Sequence, residues 1–103
     1  MSEPIVRVRL CLEDILRGRV PLFDGLEALL RFAAQVPALV DDRDVARLAG
    51  ILAEAEHLPI GPARARWSAE ALARLDPELM ELERRHREPV HYCCRRLQET
   101  LSR

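Results

Sequence analysis

The stretch LMELERRHREPVHYCCRRLQETL, residues 79–101, decides the fold. Leu79, Leu82, His86, Val90, Cys93, Leu97 and Leu101 recur every three or four residues, which places them on one face of an α-helix. Pro89 interrupts the pattern, because proline removes a backbone donor and crowds the preceding turn. The stripe continues in phase beyond it, so the reading is one helix kinked at Pro89 rather than two.

Working outward, Asp76-Pro77-Glu78 carries the signs of a helix start: a capping side chain, a first-turn proline and an early acid. A short separate helix, capped by Ser68 and running to Leu75, is expected before it. The third helix is expected to begin in the cluster Asp41-Asp42-Arg43-Asp44, whose carboxylates can accept from free amides. Its buried face is Val45, Leu48, Ile51, Leu52 and Ala55, and Pro59 with Gly61-Pro62 stops it. The second helix runs from Pro21 to about Gln35 on the stripe Leu22, Leu26, Leu29, Leu30, Ala33 and Val36, and Pro37 ends it. At the start of the chain, Val6, Val8, Leu10 and Leu12 alternate as in a strand, yet Ile5, Val8, Leu12, Ile15 and Leu16 also follow helical spacing. With Ser2 to cap and Gly18 to end it, helix is the preferred reading, and extended backbone over residues 5–10 is the alternative. The expected architecture is all-α: one domain spanning residues 1–103, a small bundle of four to five helices with the last long and kinked.

Composition agrees. Of 103 residues, 49% are hydrophobic and 32% charged, the balance of an ordinary globular chain. Four aromatic residues leave Leu, Ala, Val and Ile to fill the core, which suits helices. Lys and Asn are absent and all sixteen basic residues are Arg, read here as codon bias in a GC-rich bacterial genome. The formal net charge of −1 gives no general attraction to nucleic acid. The Arg84-Arg85-His86-Arg87 and Arg95-Arg96 clusters alternate with Glu81, Glu83, Glu88 and Glu99, as helix ion pairs do. No apolar run reaches the roughly 20 residues of a membrane span, and the opening residues lack a secretion signal. Cys11, Cys93 and Cys94 match no zinc-finger spacing, so free thiols in a cytoplasmic protein are expected.

Two constellations resemble metal sites. Glu54 precedes His57, and Glu83 precedes His86, by three residues each, the spacing with which di-metal bundles gather ligands on one helix face. Glu13 and Glu27 could complete such a set. His91 with Cys94, near Cys93, His86 and Cys11, could supply softer ligands for zinc. Acids are frequent in this chain, so such spacings also arise by coincidence. No cofactor is implied. Ser2, Ser68 and Ser102 are two chain-end residues and a helix cap, and the glycines form no phosphate loop, so the sequence leans away from an enzyme.

The linker Leu58–Trp67 has the most individual character. Glu56-His57-Leu58-Pro59-Ile60-Gly61, then Arg64 and Trp67, then Ser68-Ala69-Glu70-Ala71-Leu72, is similar to small bacterial proteins of uncharacterised function. Those carry an acid, a Leu-Pro-x-Gly turn, an Arg and a Trp, followed by a helix that runs to a Cys. The resemblance implies a cytoplasmic helical domain and no particular activity. In the linker itself, Leu58 and Ile60 can insert into the core while Arg64 binds helix-end carbonyls or Glu56. As structure this is a lock between helices. As function, Glu56, Arg64 and Trp67 would line a groove for a peptide or carboxylate. The expected function is a non-catalytic protein-interaction or accessory module of adaptor or immunity type, with a metal-binding bundle as the alternative. The expected partner is another protein, a second copy included, and neither a membrane nor nucleic acid.

Overall fold

The computed structural model describes residues 2–103, and their elements follow from local chemistry. Helix α1 spans Glu3–Leu16, capped by the Ser2 hydroxyl, which accepts from the Ile5 amide at 3.4 Å. Residues 5–10 are therefore helical rather than extended. Gly18, at φ +68°, closes α1: its amide and that of Arg19 bond back to the Ile15 and Asp14 carbonyls. This paired closure needs a left-handed residue, a conformation glycine adopts without steric cost.

Helix α2 spans Leu22–Ala33, and a 3-10 turn, Pro37–Leu39, leads to α3, Arg43–Ala53. Asp42 caps α3 by accepting from the Asp44 and Val45 amides at 2.8 and 3.1 Å. Helix α3 ends earlier than Pro59 would require. After Ala53 the amides of Glu54, Ala55 and Glu56 bond three residues back, so the helix tightens into a turn. A second 3-10 segment, Gly61–Arg66, precedes α4, Ala69–Ser102.

Helix α4 corrects one expectation. It runs unbroken from its Ser68 cap through both Pro77 and Pro89, so Asp76-Pro77-Glu78 lies inside the helix instead of opening a second one. The reason is tertiary: the Asp76 carboxylate is held by Arg64 and does not cap. Leu72, Leu75, Leu79 and Leu82 meanwhile keep one helical stripe across the proline. The helix also continues in phase through Pro89, as the spacing predicts.

Among the described residues there is no strand, and the four α-helices close a bundle in which α1 packs on α2 and α4, and α3 on α2 and α4. Asp44 meets Arg96 and Glu54 meets His86, so α3 and α4 run antiparallel. The core joins Val8, Leu12 and Ile15 of α1, Phe23, Leu26 and Leu29 of α2, Leu48 and Ile51 of α3, and Val90, Cys93 and Leu97 of α4. Gly25 of α2 sits against α1, where a Cβ would come within 2.6 Å of Ile15 Cγ1. Among the described residues, no helix is long and apolar enough to cross a membrane.

The molecule measures 46 × 24 × 23 Å, and α4, at about 1.5 Å per residue, accounts for the long dimension. The first buried residue of α4 is Leu82. Before it, Leu75 and Leu79 pack only partly on the core, Asp76 is held by Arg64 of the linker, and the rest of the first turns faces outward.

Candidate functional site

The linker is pinned at two points. Leu58, Pro59 and Ile60 are buried, as their apolar character requires. Gly61 then turns at φ +57°, and its amide donates to Asp24 Oδ1 of α2 at 2.9 Å. Three residues on, Arg64 donates through Nη1 and Nη2 to the two Asp76 oxygens of α4, at 2.8 and 3.0 Å. Its Nη1 also donates to the Pro59 carbonyl at 3.3 Å. A guanidinium facing a carboxylate with two parallel bonds is a geometrically specific pair, so the linker is fixed both to α2 and to α4.

The three residues proposed for a groove are not brought together. Arg64 turns toward α4, beside a recess of about 230 Å³ that also holds Asp24, Asp76 and Glu83. Glu56 lines a different recess, with Glu27, Leu58 and Ile60. Trp67 follows the 3-10 segment, 40% exposed, and lines neither recess. Arg64 takes Asp76, not Glu56, because α4 carries that carboxylate past the linker in a single continuous helix. With three carboxylates around one guanidinium, the recess disfavours an anionic ligand.

The Arg64 guanidinium holds the Asp76 carboxyl below its ordinary value of 3.8, through the hydrogen bond first and the charge second, against the opposing effect of burial. A depressed carboxyl stabilises the fold above its unfolded value, and that contribution is lost as pH falls through the folded value. Linker protection, measured against the intrinsic exchange rate at the same pH, is therefore expected to fall as pH drops below 3.8, and Arg64→Ala is expected to lack that protection already at neutral pH. Hydrogen exchange followed across that range checks this; linker protection insensitive to both changes would contradict it.

Of the four metal-like residues only Glu54 and His86 meet. Glu54 is the C-cap of α3 and His57 lies in the turn beyond, so they no longer share a helix face. His57 contacts Glu78, while His86 Nε2 lies 3.1 Å from Glu54 Oε2 without the alignment of a hydrogen bond. Glu83 reaches the other way and accepts from the Leu22 amide at 3.3 Å. It thereby serves the start of α2, which Pro21 cannot cap with its own side chain. Glu13 pairs with Arg17 at 3.2 Å, and Glu27 lines the recess beside Glu56. Among the described residues no group of three or more His, Cys, Asp or Glu side chains is placed to hold a metal ion.

The thiols are core groups. Cys93 and Cys94 are buried and Cys11 is half-buried. Burial, with a smaller contribution from Cys93, pushes the Cys94 thiol up to about 12, and burial raises Cys93 and Cys11 as well. None is set up as a thiolate nucleophile at neutral pH. His91 is shifted the other way, lowered by burial and then by Arg95 and Arg87.

A second polar cluster was not legible in the sequence. Asp44, buried in the first turn of α3, accepts from Arg96 Nε at 3.1 Å, and Arg96 donates from Nη1 to the Tyr92 hydroxyl at 3.3 Å. The i,i+4 spacing of Tyr92 and Arg96 was available as a signal, but the Asp44 contact spans 52 residues and had none. Compared with protein-family models, with curated proteins and with solved structures, the chain matches none.

Proposed function

We propose that this chain is a non-catalytic protein-interaction module whose contact face is the projecting N-terminal half of α4. One observation carries the reading: no residue from Ala69 to Glu81 is buried, and Met80, in the middle of that segment, is 66% exposed. Pro77, Met80, Glu81, Arg84 and Arg87 border a shallow recess made of α4 side chains alone, so no other element of this chain covers it. An exposed methionine is a good contact residue, since its flexible, polarisable side chain adapts to a partner's surface. The remaining chemistry of the chain also fits a binding role. His57 and His86 face carboxylates, Cys93 and Cys94 are buried, and Arg64, Asp76 and Glu83 each hold one element against another.

A photo-reactive amino acid placed at position 80 of the full chain, in cells, is expected to give a discrete protein adduct. The same probe at the exposed Ala49 of α3 is expected to give none. Absence of an adduct at position 80 would sink the reading. So would turnover of a small molecule by the purified chain that is lost on changing one polar side chain.

A further inference from the structure

Along α4, steps of three and four residues from Glu70 trace one stripe: Glu70, Ala73, Pro77, Met80, Arg84, Arg87. Every one of these residues is exposed. The stripe has an order. It begins with a carboxylate, passes through small and apolar side chains, and ends with guanidiniums. Among the described residues, neither Glu70 nor Arg87 has an ion-pair partner, whereas Arg84 is occupied by Glu81 at 2.9 Å. The polarity extends to the whole helix. Residues 69–83 carry five carboxylates and one Arg, and residues 84–103 carry six Arg and two carboxylates.

A two-fold interface brings one patch against itself, so the patch must be self-complementary: apolar about the axis, with opposite charges at equal distances on either side. This stripe has that form. Glu70 and Arg87 lie equally far from the midpoint between Pro77 and Met80, each about 13 Å away at roughly 1.5 Å per residue. Two antiparallel copies centred on that midpoint set Pro77 against Met80 and place Glu70 of each opposite Arg87 of the other. Ala73 faces Arg84 in the same register, leaving room for the Arg stem.

We infer that the partner of the α4 face is a second copy of this chain, bound antiparallel about Pro77 and Met80 with two Glu70–Arg87 ion pairs. This rests on the reading of that face as an interaction surface and names its occupant. A helix stripe about 10 Å wide covers less than the roughly 800 Å² per partner of a standard stable complex. The dimer is therefore reversible, and its end charges make it salt-sensitive.

Sedimentation velocity of the purified full chain tests the inference. The mass is expected to rise from one chain toward two across the micromolar to near-millimolar range, and to fall back when salt is raised to about 0.5 M, where screening is nearly complete within a few ångströms. Met80→Glu is expected to leave a monomer whose thermal midpoint equals that of the parent at concentrations low enough for the parent to be monomeric. Glu70→Arg and Arg87→Glu should each weaken self-association at least about tenfold, as like charges then meet at both ends. Mixing those two variants restores both ion pairs, so they should associate with each other more tightly than either does with itself. The double variant Glu70→Arg/Arg87→Glu should regain the parental dimer.

A chain that stays monomeric at low salt throughout, or charge variants that self-associate like the parent and gain nothing on mixing, overturns the inference. The two readings fail separately. An adduct from position 80 with the mass of two chains supports the second copy. An adduct of another mass, with the purified chain monomeric, keeps the interaction module and removes the homodimer.

Discussion

Phe23→Ala is expected to lower the free energy of unfolding by about 3–5 kcal/mol, the range for deleting a buried aromatic side chain. Phe23 sits at the second position of α2, is 1% exposed, and belongs to the core where the helices meet. Truncation removes the transfer energy of the ring and leaves a cavity that neighbouring helices can only partly fill. A domain of this size has roughly 5–15 kcal/mol in total, so the variant keeps only part of it. Denaturant unfolding should show a lower midpoint with an unchanged slope, and the thermal midpoint should fall by more than about 12 °C. A loss below about 1 kcal/mol would mean that the ring is not packed as described.

The second large effect is expected at Gly25. A Cβ there would stand 2.6 Å from Ile15 Cγ1 and 3.0 Å from Val20 Cγ2, closer than real contacts allow. Ile15 is itself buried, so it has no open space to retreat into. Gly25→Leu must push α1 and α2 apart, and a destabilisation of about 1–3 kcal/mol or more is expected from such overpacking. Gly50, in the interior of α3, is the control, because an added Cβ meets nothing within 4 Å. Gly50→Ala should stabilise by up to about 1 kcal/mol, the difference in helix propensity. Opposite signs at two helical glycines, measured by denaturant unfolding, would establish that Gly25 is a packing residue. Equal signs would refute that.

By helix propensity a glycine weakens α2, and only the distance from Gly25 to Ile15 explains what the weakness is for. The same division holds along the chain. Ser2, Ser68 and the cluster Asp41-Asp42-Arg43-Asp44, in which Asp42 proves to be the cap, were readable because a cap bonds to an amide two or three residues away. Gly18 was readable as an exit because a left-handed residue must follow the last turn. The apolar stripes named most of the core residues, since helical periodicity is set by local backbone geometry, but not Phe23, Leu39 or Cys94. The linker was readable as a lock in its inserted Leu58 and Ile60, but its partners were not. Arg64 takes Asp76 instead of Glu56, and Gly61 binds Asp24, 37 residues before it.

Tertiary structure therefore decided three things. It set the true start of α4, by occupying Asp76 and leaving Ser68 as the cap. It split the set Glu54, His57, Glu83 and His86, keeping only Glu54 beside His86, by ending α3 at Ala53 and sending Glu83 across 61 residues to the Leu22 amide. And it left the Glu70–Arg87 stripe exposed, because the other helices pack on other faces of α4. The physical reason is common to all three. Helix caps and stripes are fixed by atoms within a turn or two of one another, so the order of residues determines them. The choice among seventeen carboxylates by a given Arg or amide depends on which backbone arrives beside it, and that is settled only when the helices pack.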